Sequence, residues 1–309
     1  MKTVVILLSD KRSGSTMFQD ALCAHPKVQT VEYSPHTYLE THHWLKAAVL
    51  LSVHHSLFSN GITYKNYGSR KNARIYLENE LKGNLPDYKI PKDDKQLVFE
   101  GWEALCDRFA QPIFFEKSPQ HLAHWAAITL LLDWAQQTKK YKVKIIGLVR
   151  NPLAVQYSAF KLFRTLPAQR QYGWLHIYKN LLALKSLLRE DQFKLIRYED
   201  IVDDSETTLK SICDFIGIKY NASMALKIHG NSKKKWNNDP YFTLTLDPVV
   251  TQMAYRFGYS AGVLENKNTN KISTFKLFVW NINTILFIGK NKLINRLIMP
   301  VLLRFKLKK

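Results

Sequence analysis

The chain has 309 residues, 46% of them hydrophobic, so it is long and apolar enough to bury one large core. Its 45 lysines and arginines against 25 acidic residues give a formal charge of +20, which favours polyanionic partners such as nucleotide phosphates, nucleic acid, acidic glycans or anionic membrane. Three scattered cysteines exclude a disulfide framework and a cysteine-based zinc site.

The first predicted element is a strand over Thr3–Leu8, a continuous β-branched apolar run typical of a buried parallel strand. This run is shorter than the apolar region of a signal peptide and far shorter than a membrane span. We therefore expect a cytoplasmic protein.

The sequence SDKRSGSTMFQDALCAHPKV, residues 9–28, follows directly and predicts a turn and then a helix over Thr16–Ala24. A glycine-containing turn between a strand and a helix directs backbone N–H groups at an anion. The turn also offers the Arg12 guanidinium and the hydroxyl groups of Ser13, Ser15 and Thr16. With Gly14 alone and no lysine after it, the turn is not an ATP-binding P-loop. An ordinary capped helix is the alternative interpretation.

The middle of the chain alternates between helical and apolar patterns. A helix is predicted over His36–Phe58, and residues 60–95 are polar and without periodicity, which indicates a surface insertion near a substrate entrance. A short strand over Pro112–Glu116 and a helix over His121–Gln137 follow.

A second clear strand, Lys142–Val149, leads into a predicted helix over Pro152–Phe163. Arg150 falls in the turn between them, because proline favours the first helical position, and Ser158 falls about two turns into the helix. An arginine there can hold a phosphate through two hydrogen bonds while the serine donates a third. A surface arginine and an unrelated helix serine are the alternative. Two anion sites at strand ends predict a ligand that is phosphorylated at two places.

The remaining elements are a helix over Gly173–Arg189, a strand over Phe193–Arg197, a helix over Glu206–Ile216 and a basic loop over Gly230–Pro240. Strands that alternate with helices of this length predict an α/β fold, with a mainly parallel sheet and helices on both faces.

Together these motifs resemble the sulfotransferases that use 3'-phosphoadenylyl sulfate (PAPS), a family that includes a tyrosylprotein branch. Residues Arg12 to Thr16 match the family's 5'-phosphosulfate loop, Arg-Ser-Gly-[Ser/Thr]-[Ser/Thr]. Arg150 and Ser158 match its 3'-phosphate motif, Val-Arg-[Asp/Asn]-Pro with a later serine. The segment IRYEDIV resembles a third family segment and implies that Tyr198 lies near the 3'-phosphate. The resemblance implies a P-loop-like three-layer α/β/α domain, which we expect over residues 1–265.

The resemblance also implies two catalytic residues. AHPKVQTVE resembles a segment of the tyrosylprotein branch whose glutamate is the general base, which implies that role for Glu32. FFEKSP resembles the segment whose lysine neutralises the bridging oxygen of the donor, which implies that role for Lys117. His36, His42 or His43 is an alternative base, because imidazole titrates near neutrality. No metal is implied.

Two basic regions lie outside these motifs. Lys233–Lys235 stands where family members close a loop over the nucleotide, so Ser232 or Lys233 is expected in a lid, with a solvated charge run as the alternative. From Lys267 onward there are ten lysines and arginines and no acidic residue. Residues 266–309 therefore form a basic amphipathic tail that either lies on an anionic membrane or packs on the protein's own core.

The expected function is transfer of the sulfuryl group from PAPS to a hydroxyl group of a sugar, a lipid or a tyrosine. A small-molecule, glycan or lipid acceptor is expected, and no nucleic acid partner. The expected location is the cytoplasm, with peripheral attachment to the membrane as the alternative. A non-catalytic basic module that binds anionic membrane or nucleic acid is the alternative, and a nucleotide-dependent kinase is the third interpretation.

Overall fold

A five-stranded parallel sheet forms the centre of the protein. The structure, a computed structural model, describes residues 2–53, 69–230, 232–233, 235–268, 282, 284–287 and 289–290. The strands pair in the order β2-β3-β1-β4-β5, and every pairing is parallel. They are β1 (Lys2–Ser9), β2 (Val28–Gln29), β3 (Ile113–Lys117), β4 (Tyr141–Val149) and β5 (Phe193–Arg197).

Eleven α-helices lie in the described part of the chain. They are α1 (Ser15–Cys23), α2 (His43–Leu50), α3 (Arg70–Asn84), α4 (Asp94–Phe109), α5 (Trp125–Gln137), α6 (Pro152–Phe163), α7 (Pro167–Ser186), α8 (Tyr198–Asp203), α9 (Ser205–Ile216), α10 (Pro248–Tyr255) and α11 (Ala261–Leu264). Short 3-10 helices occur at Thr37–Leu39, His121–Ala123 and Ala222–Lys227.

Alternate residues of β1 enter two separate apolar cores. Val4, Ile6 and Leu8 pack in one core, whereas Val5 and Leu7 pack in the other. This alternation follows from the period of two in a strand, and it requires apolar helices on both faces of the sheet. The three-layer α/β/α architecture that the sequence predicts is confirmed.

The predicted helix over His36–Phe58 is wrong in its first part. Residues 37–39 form a 3-10 turn, and α2 begins only at His43. Tyr38, Leu39 and His42 have φ of 66°, 53° and 52°, which a right-handed helix cannot contain. Tertiary contacts override the local helical pattern here, because the turn carries Glu40 to the sheet edge. The later part of the prediction, residues 54–58, lies outside the described residues.

The prediction of an irregular insertion over residues 60–95 is wrong over residues 70–84, whereas residues 85–93 contain no helix or strand. Residues 70–84 form α3, which buries Ala73, Leu77 and Leu81 at helical spacing. Its many lysines, arginines and asparagines obscured this narrow apolar stripe. Helix α4, which packs Trp102 into the core, was not predicted at all.

The carboxyl ends of the strands meet at one edge of the sheet, because the strands are parallel. Leu7 of β1 is level with Lys117 of β3, and Ser9 is level with Leu148 of β4. The turns after these strands therefore lie side by side, which is the usual position of ligand sites in open α/β sheets.

Within the described residues, no helix combines the length and hydropathy that crossing a membrane requires. Most of residues 266–309 lies outside the described part of the chain, so the boundary of the tail stays a prediction.

Candidate active site

The turn between β1 and α1 forms an open anion cradle. Gly14 precedes the helix with φ 90° and ψ 14°, and no side chain caps the first helical turn. The N–H groups at the start of an α-helix have no partner within the helix, and they carry the positive end of its dipole. A phosphate or phosphosulfate group is the kind of ligand that such a turn binds.

The aromatic ring of Tyr198 closes the turn from the other side. A β-carbon added at Gly14 would lie 2.4 Å from Tyr198 Cδ2, so only glycine fits at this position. Positive φ and the close approach of the ring both require it. Tyr198 itself begins α8 directly after β5 and is buried.

Arg150 connects the two predicted phosphate motifs. Its guanidinium, 4% exposed, donates to the carbonyl oxygen of Arg12 at 3.0 Å and to that of Ser232 at 2.7 Å. It also lies 4.2 Å from the ring centroid of Tyr198. Arg12 Nε in turn donates to Ser158 Oγ at 2.9 Å. The structure thus brings together five side chains from four separate segments.

A cavity of about 160 Å³ lies between these groups, with Ser15, Thr16, Arg150, Tyr198 and Ser232 in its wall. Ser13 is the one predicted loop residue that does not line it. Its hydroxyl is buried and lies 3.1 Å from the Tyr178 hydroxyl, so it fixes the turn to α7.

Lys117 ends β3 with its side chain buried and paired to a carboxylate. Its ammonium donates to Glu40 Oε1 at 2.9 Å. The other oxygen, Oε2, lies 3.0 Å from His42 Nε2 and 3.5 Å from His36 Nδ1. Sequence reasoning missed Glu40, although its position four residues after one histidine and two before another was a usable signal.

Opposing effects set the protonation of this cluster. Burial by itself raises the pKa of Glu40, but the hydrogen bond with His42 and the charge and hydrogen bond of Lys117 outweigh it and lower the pKa to about 2. Burial lowers the pKa of His42 to about 4, against the raising effect of Glu40. At neutral pH the cluster is a carboxylate between an ammonium and a neutral imidazole.

Glu32 does not lie in this cluster. Its side chain is 70% exposed, and its carboxylate lies 3.5 Å from the guanidinium of Arg108. Its backbone N–H is held by Asn84 at 3.0 Å. The assignment of Glu32 as the base stays a prediction, and the structure offers Glu40 as a rival.

The three histidines that the sequence offered as alternative bases differ in position. His43 is fully buried, with Nδ1 3.2 Å from Glu80 and Nε2 2.9 Å from the Val98 carbonyl oxygen, so both nitrogens are used in the core. Burial lowers its pKa to about 4. His42 is buried against Glu40, and His36 is half-buried at the rim of the cluster.

His36, Glu40 and His42 could also hold a metal, since their ligand atoms lie within 4.8 Å of one another. Two imidazoles and a carboxylate suit Zn²⁺. The ammonium of Lys117 on the same carboxylate opposes a second cation there.

The predicted lid segment contributes one residue to the site. Ser232 Oγ lies 3.0 Å from the Tyr198 hydroxyl, whereas Lys233 pairs with Asp203. Lys233 also lines a neighbouring cavity of about 550 Å³, together with Asn151, Glu199 and Trp236. The two cavities are adjacent, because consecutive residues line one and then the other at three places: Arg150 and Asn151, Tyr198 and Glu199, and Ser232 and Lys233.

Fold and site together define an α/β protein with the guanidinium groups of Arg12 and Arg150 beside one cavity at the edge of a parallel sheet. The family model described as "Sulfotransferase family" matches residues 5–222, and the chain belongs to that family.

Individual relatives are distant. Omega-hydroxy-beta-dihydromenaquinone-9 sulfotransferase Stf3 of Mycobacterium tuberculosis is 22% identical over 238 residues, which is 69% of this chain and 58% of that protein. The chain thus spans a little over half the length of this relative. Two solved sulfotransferase domains share the fold. The domain of the Synechococcus PCC 7002 olefin synthase has a TM-score of 0.56 and 21% identity, covering 84% of this chain and 97% of that one. The domain of the curacin biosynthetic pathway has a TM-score of 0.58 and 18% identity, covering 84% and 99%.

Proposed function

We propose that this protein transfers the sulfuryl group of PAPS to a hydroxyl group of an acceptor. The observation that carries the proposal is the convergence of Arg12 and Arg150 on one cavity, with Lys117 at the end of the neighbouring strand. Two anion anchors suit a nucleotide that is phosphorylated at both the 5' and 3' positions. Membership of the sulfotransferase family supports the same donor.

In this proposal different residues bind the two phosphate groups of the donor. The turn Gly14–Thr16 and Arg12 hold the 5'-phosphosulfate, whereas Arg150, Ser158 and Tyr198 hold the 3'-phosphate. The 160 Å³ cavity is too small for a whole nucleotide, so the adenosine extends into the neighbouring 550 Å³ cavity beside Trp236.

The chemical step needs a base and a cation. The acceptor oxygen attacks sulfur, the bond from sulfur to the 5'-phosphate oxygen breaks, and 3',5'-ADP leaves with the electron pair. Lys117 neutralises the bridging oxygen as its negative charge develops. The acceptor proton passes to a carboxylate, for which Glu40 is the better placed of the two candidates because it contacts Lys117 directly.

Lys117 and Glu40 are further coupled through charge. When Lys117 turns from Glu40 to the donor, Glu40 keeps its hydrogen bond with His42 but loses the second of the two partners that lower its pKa, so it becomes a stronger base. Donor binding thereby prepares the base.

The acceptor and the location of the protein belong to the proposal as well. We place the hydroxyl on a small molecule, a glycan or a lipid, and the protein in the cytoplasm with its basic tail on an anionic membrane surface. The name of the menaquinone-derivative sulfotransferase supports a lipid acceptor. Ile285 and Leu286 of the tail, 70% and 64% exposed, support the membrane contact.

Calorimetric titration with 3',5'-ADP, 5'-AMP and ATP tests the donor. We expect the wild type to prefer 3',5'-ADP and Arg150→Ala to lose that preference. Arg189→Ala is the matched control, because Arg189 is 71% exposed and pairs with Asp191 on the surface. Equal binding of the three nucleotides, or none, would contradict the proposal and favour a basic binding module instead. Nucleotide binding that is sensitive to salt and unaffected by Arg150→Ala would also favour a basic binding module.

A further inference from the structure

A third cavity, of about 300 Å³, adjoins the proposed donor loop. Lys11 and Phe163 lie in its wall, and the Phe163 ring centroid is 6.0 Å from the Arg12 guanidinium carbon. Pro119 lies in the wall too, two residues after Lys117. The cavity therefore opens beside both the phosphosulfate loop and the lysine proposed for the bridging oxygen, which is where an acceptor must approach.

Most of the wall is apolar. Ala123, Phe163 and Ile177 form much of it, on three different elements. Three charged residues lie in the wall, and two of them pair with each other, because Arg170 Nη2 donates to both carboxylate oxygens of the buried Asp10. Lys11 is the third.

Gln120 Oε1, Thr165 Oγ1 and Arg170 Nη1 in the wall have no hydrogen-bond partner among the described residues, so they can receive the acceptor hydroxyl. The remaining exposed surface of the wall is mainly apolar and offers no partners for the further hydroxyl groups of a sugar. An alkyl or prenyl body loses nothing on entering it.

Phe163 of the cavity wall has exposed apolar neighbours in the sequence. Leu162, Phe163 and Leu166, at the junction of α6 and α7, are 45%, 44% and 51% exposed. Contiguous exposed apolar residues at the edge of a cavity indicate a ligand groove.

A glycine keeps the floor of the cavity open. Gly173 lies inside α7, where alanine would be the more stable residue. A β-carbon at this position would lie 3.3 Å from Arg170 Nη1, a contact that a small shift of the arginine relieves, whereas a larger side chain would occupy space in the cavity that Gly173 lines.

Resting on the proposed function, we infer that the acceptor is an alcohol with an apolar body. Its hydroxyl lies at the end of the cavity formed by Lys11 and Pro119, and its chain leaves over Leu162 and Leu166. The substrate class is thus an alkyl or prenyl alcohol rather than a sugar or a peptide tyrosine.

Sulfuryl transfer from PAPS to 1-butanol, 1-hexanol, 1-octanol and 1-decanol tests this inference, with glucose and a tyrosine peptide for comparison. We expect kcat/KM to rise about fourfold for each methylene that enters the cavity and then to level off. Glucose and the peptide are expected to react at least about a hundredfold more slowly than 1-octanol.

Two variants test where the alkyl chain of the acceptor lies. Gly173→Leu fills the cavity and should lower kcat/KM for 1-octanol at least about tenfold while sparing 1-butanol. Leu166→Glu should flatten the dependence on chain length, whereas the matched control Leu187→Glu, 55% exposed at the other end of α7, should not. Titration with 3',5'-ADP verifies that each variant retains the folded donor site.

The outcomes separate the inference from the proposed function. If 3',5'-ADP fails to bind the wild type, the proposed function fails first. If 3',5'-ADP binds but glucose or the peptide is preferred, if chain length has no effect, or if no alcohol reacts, the inference on the acceptor is overturned and the donor assignment stands.

Discussion

The ammonium of Lys117 and the carboxylate of Glu40 form a buried ion pair at 2.9 Å, across 77 residues of sequence. One partner ends a central strand, and the other follows a turn with left-handed backbone angles. Because a buried ion pair contributes little net stability over apolar residues, its retention beside the donor loop favours a chemical role.

Glutamine substitutions separate the two candidate bases. Glu40→Gln should lower kcat about a hundredfold or more, because the acceptor proton loses its carboxylate. Glu32→Gln should change kcat less than threefold, since its side chain is 70% exposed beside Arg108. Steady-state kinetics checks both, with 3',5'-ADP affinity as the control for folding. An inactive Glu32→Gln with an active Glu40→Gln would restore the prediction made from the sequence.

Gly14 and Gly217 form a matched pair for testing the donor loop. Both have positive φ, 90° and 81°, but a β-carbon at Gly217 meets nothing within 4 Å, whereas one at Gly14 meets Tyr198. Gly217→Ala should cost about 1 kcal/mol of unfolding free energy from backbone strain alone and leave 3',5'-ADP affinity unchanged. Gly14→Ala should lower that affinity at least about tenfold. Equal effects on nucleotide binding would show that the contact with Tyr198 is unimportant.

Besides its proposed contact with the 3'-phosphate, Ser158 is expected to orient Arg12. Its hydroxyl accepts a hydrogen bond from Arg12 Nε at 2.9 Å, and loss of one hydrogen bond to a charged group is worth about 1.5 to 3 kcal/mol. Ser158→Ala should therefore weaken 3',5'-ADP binding about tenfold or more in calorimetry. Ser186→Ala, which removes an exposed hydroxyl bonded within its own helix, is the control and should have no effect. Unchanged affinity in both variants would remove Ser158 from the donor site.

Glu116 should make stability depend on pH. Burial raises its pKa from 4.5 to about 7, although hydrogen bonds from Ser118 and Thr41 oppose the shift. Between these two pH values the folded state holds a proton on Glu116 that the unfolded state has lost. The contribution of Glu116 to the free energy of unfolding is therefore fully present below about pH 4.5 and is lost as the pH rises through 7. The difference corresponds to roughly 3 kcal/mol.

Glu116→Gln should flatten this dependence and raise stability at pH 8. The amide oxygen can still accept from Thr41 and Ser118, and its NH₂ group would face His121 Nδ1, which lies 3.8 Å from the present Oε2. Within the described part of the chain, Glu116 Oε2 and His121 Nδ1 have no hydrogen-bond partner. Urea denaturation at pH 5 and pH 8 measures the effect. The prediction would be wrong in sign if the wild type were more stable at pH 8 than at pH 5 and Glu116→Gln abolished that difference.

Local sequence indicated four of the five strands and the two phosphate motifs, whereas the two-residue strand β2 was not predicted. Apolar β-branched runs such as Thr3–Leu8 need no long-range information to indicate buried strands. The turn around Gly14 and the turn containing Arg150 each follow such a run, so their placement at one sheet edge followed from parallel pairing alone. Most of the donor site was therefore predictable.

Helix α3 and the segment around Glu40 were not predictable in this way. The apolar stripe of α3 is only a few residues wide and depends on the core that it meets. The left-handed angles at Tyr38, Leu39 and His42 are locally unfavourable and persist only because surrounding contacts enforce them.

The sequence by itself indicated the proposed anion site, because a phosphate turn is a local arrangement of backbone N–H groups, glycine and arginine. Only the tertiary structure decided which carboxylate faces Lys117 and what lines the acceptor cavity. Both depend on side chains such as Glu40 and Phe163 that approach from distant segments, and their positions are fixed by packing rather than by local pattern.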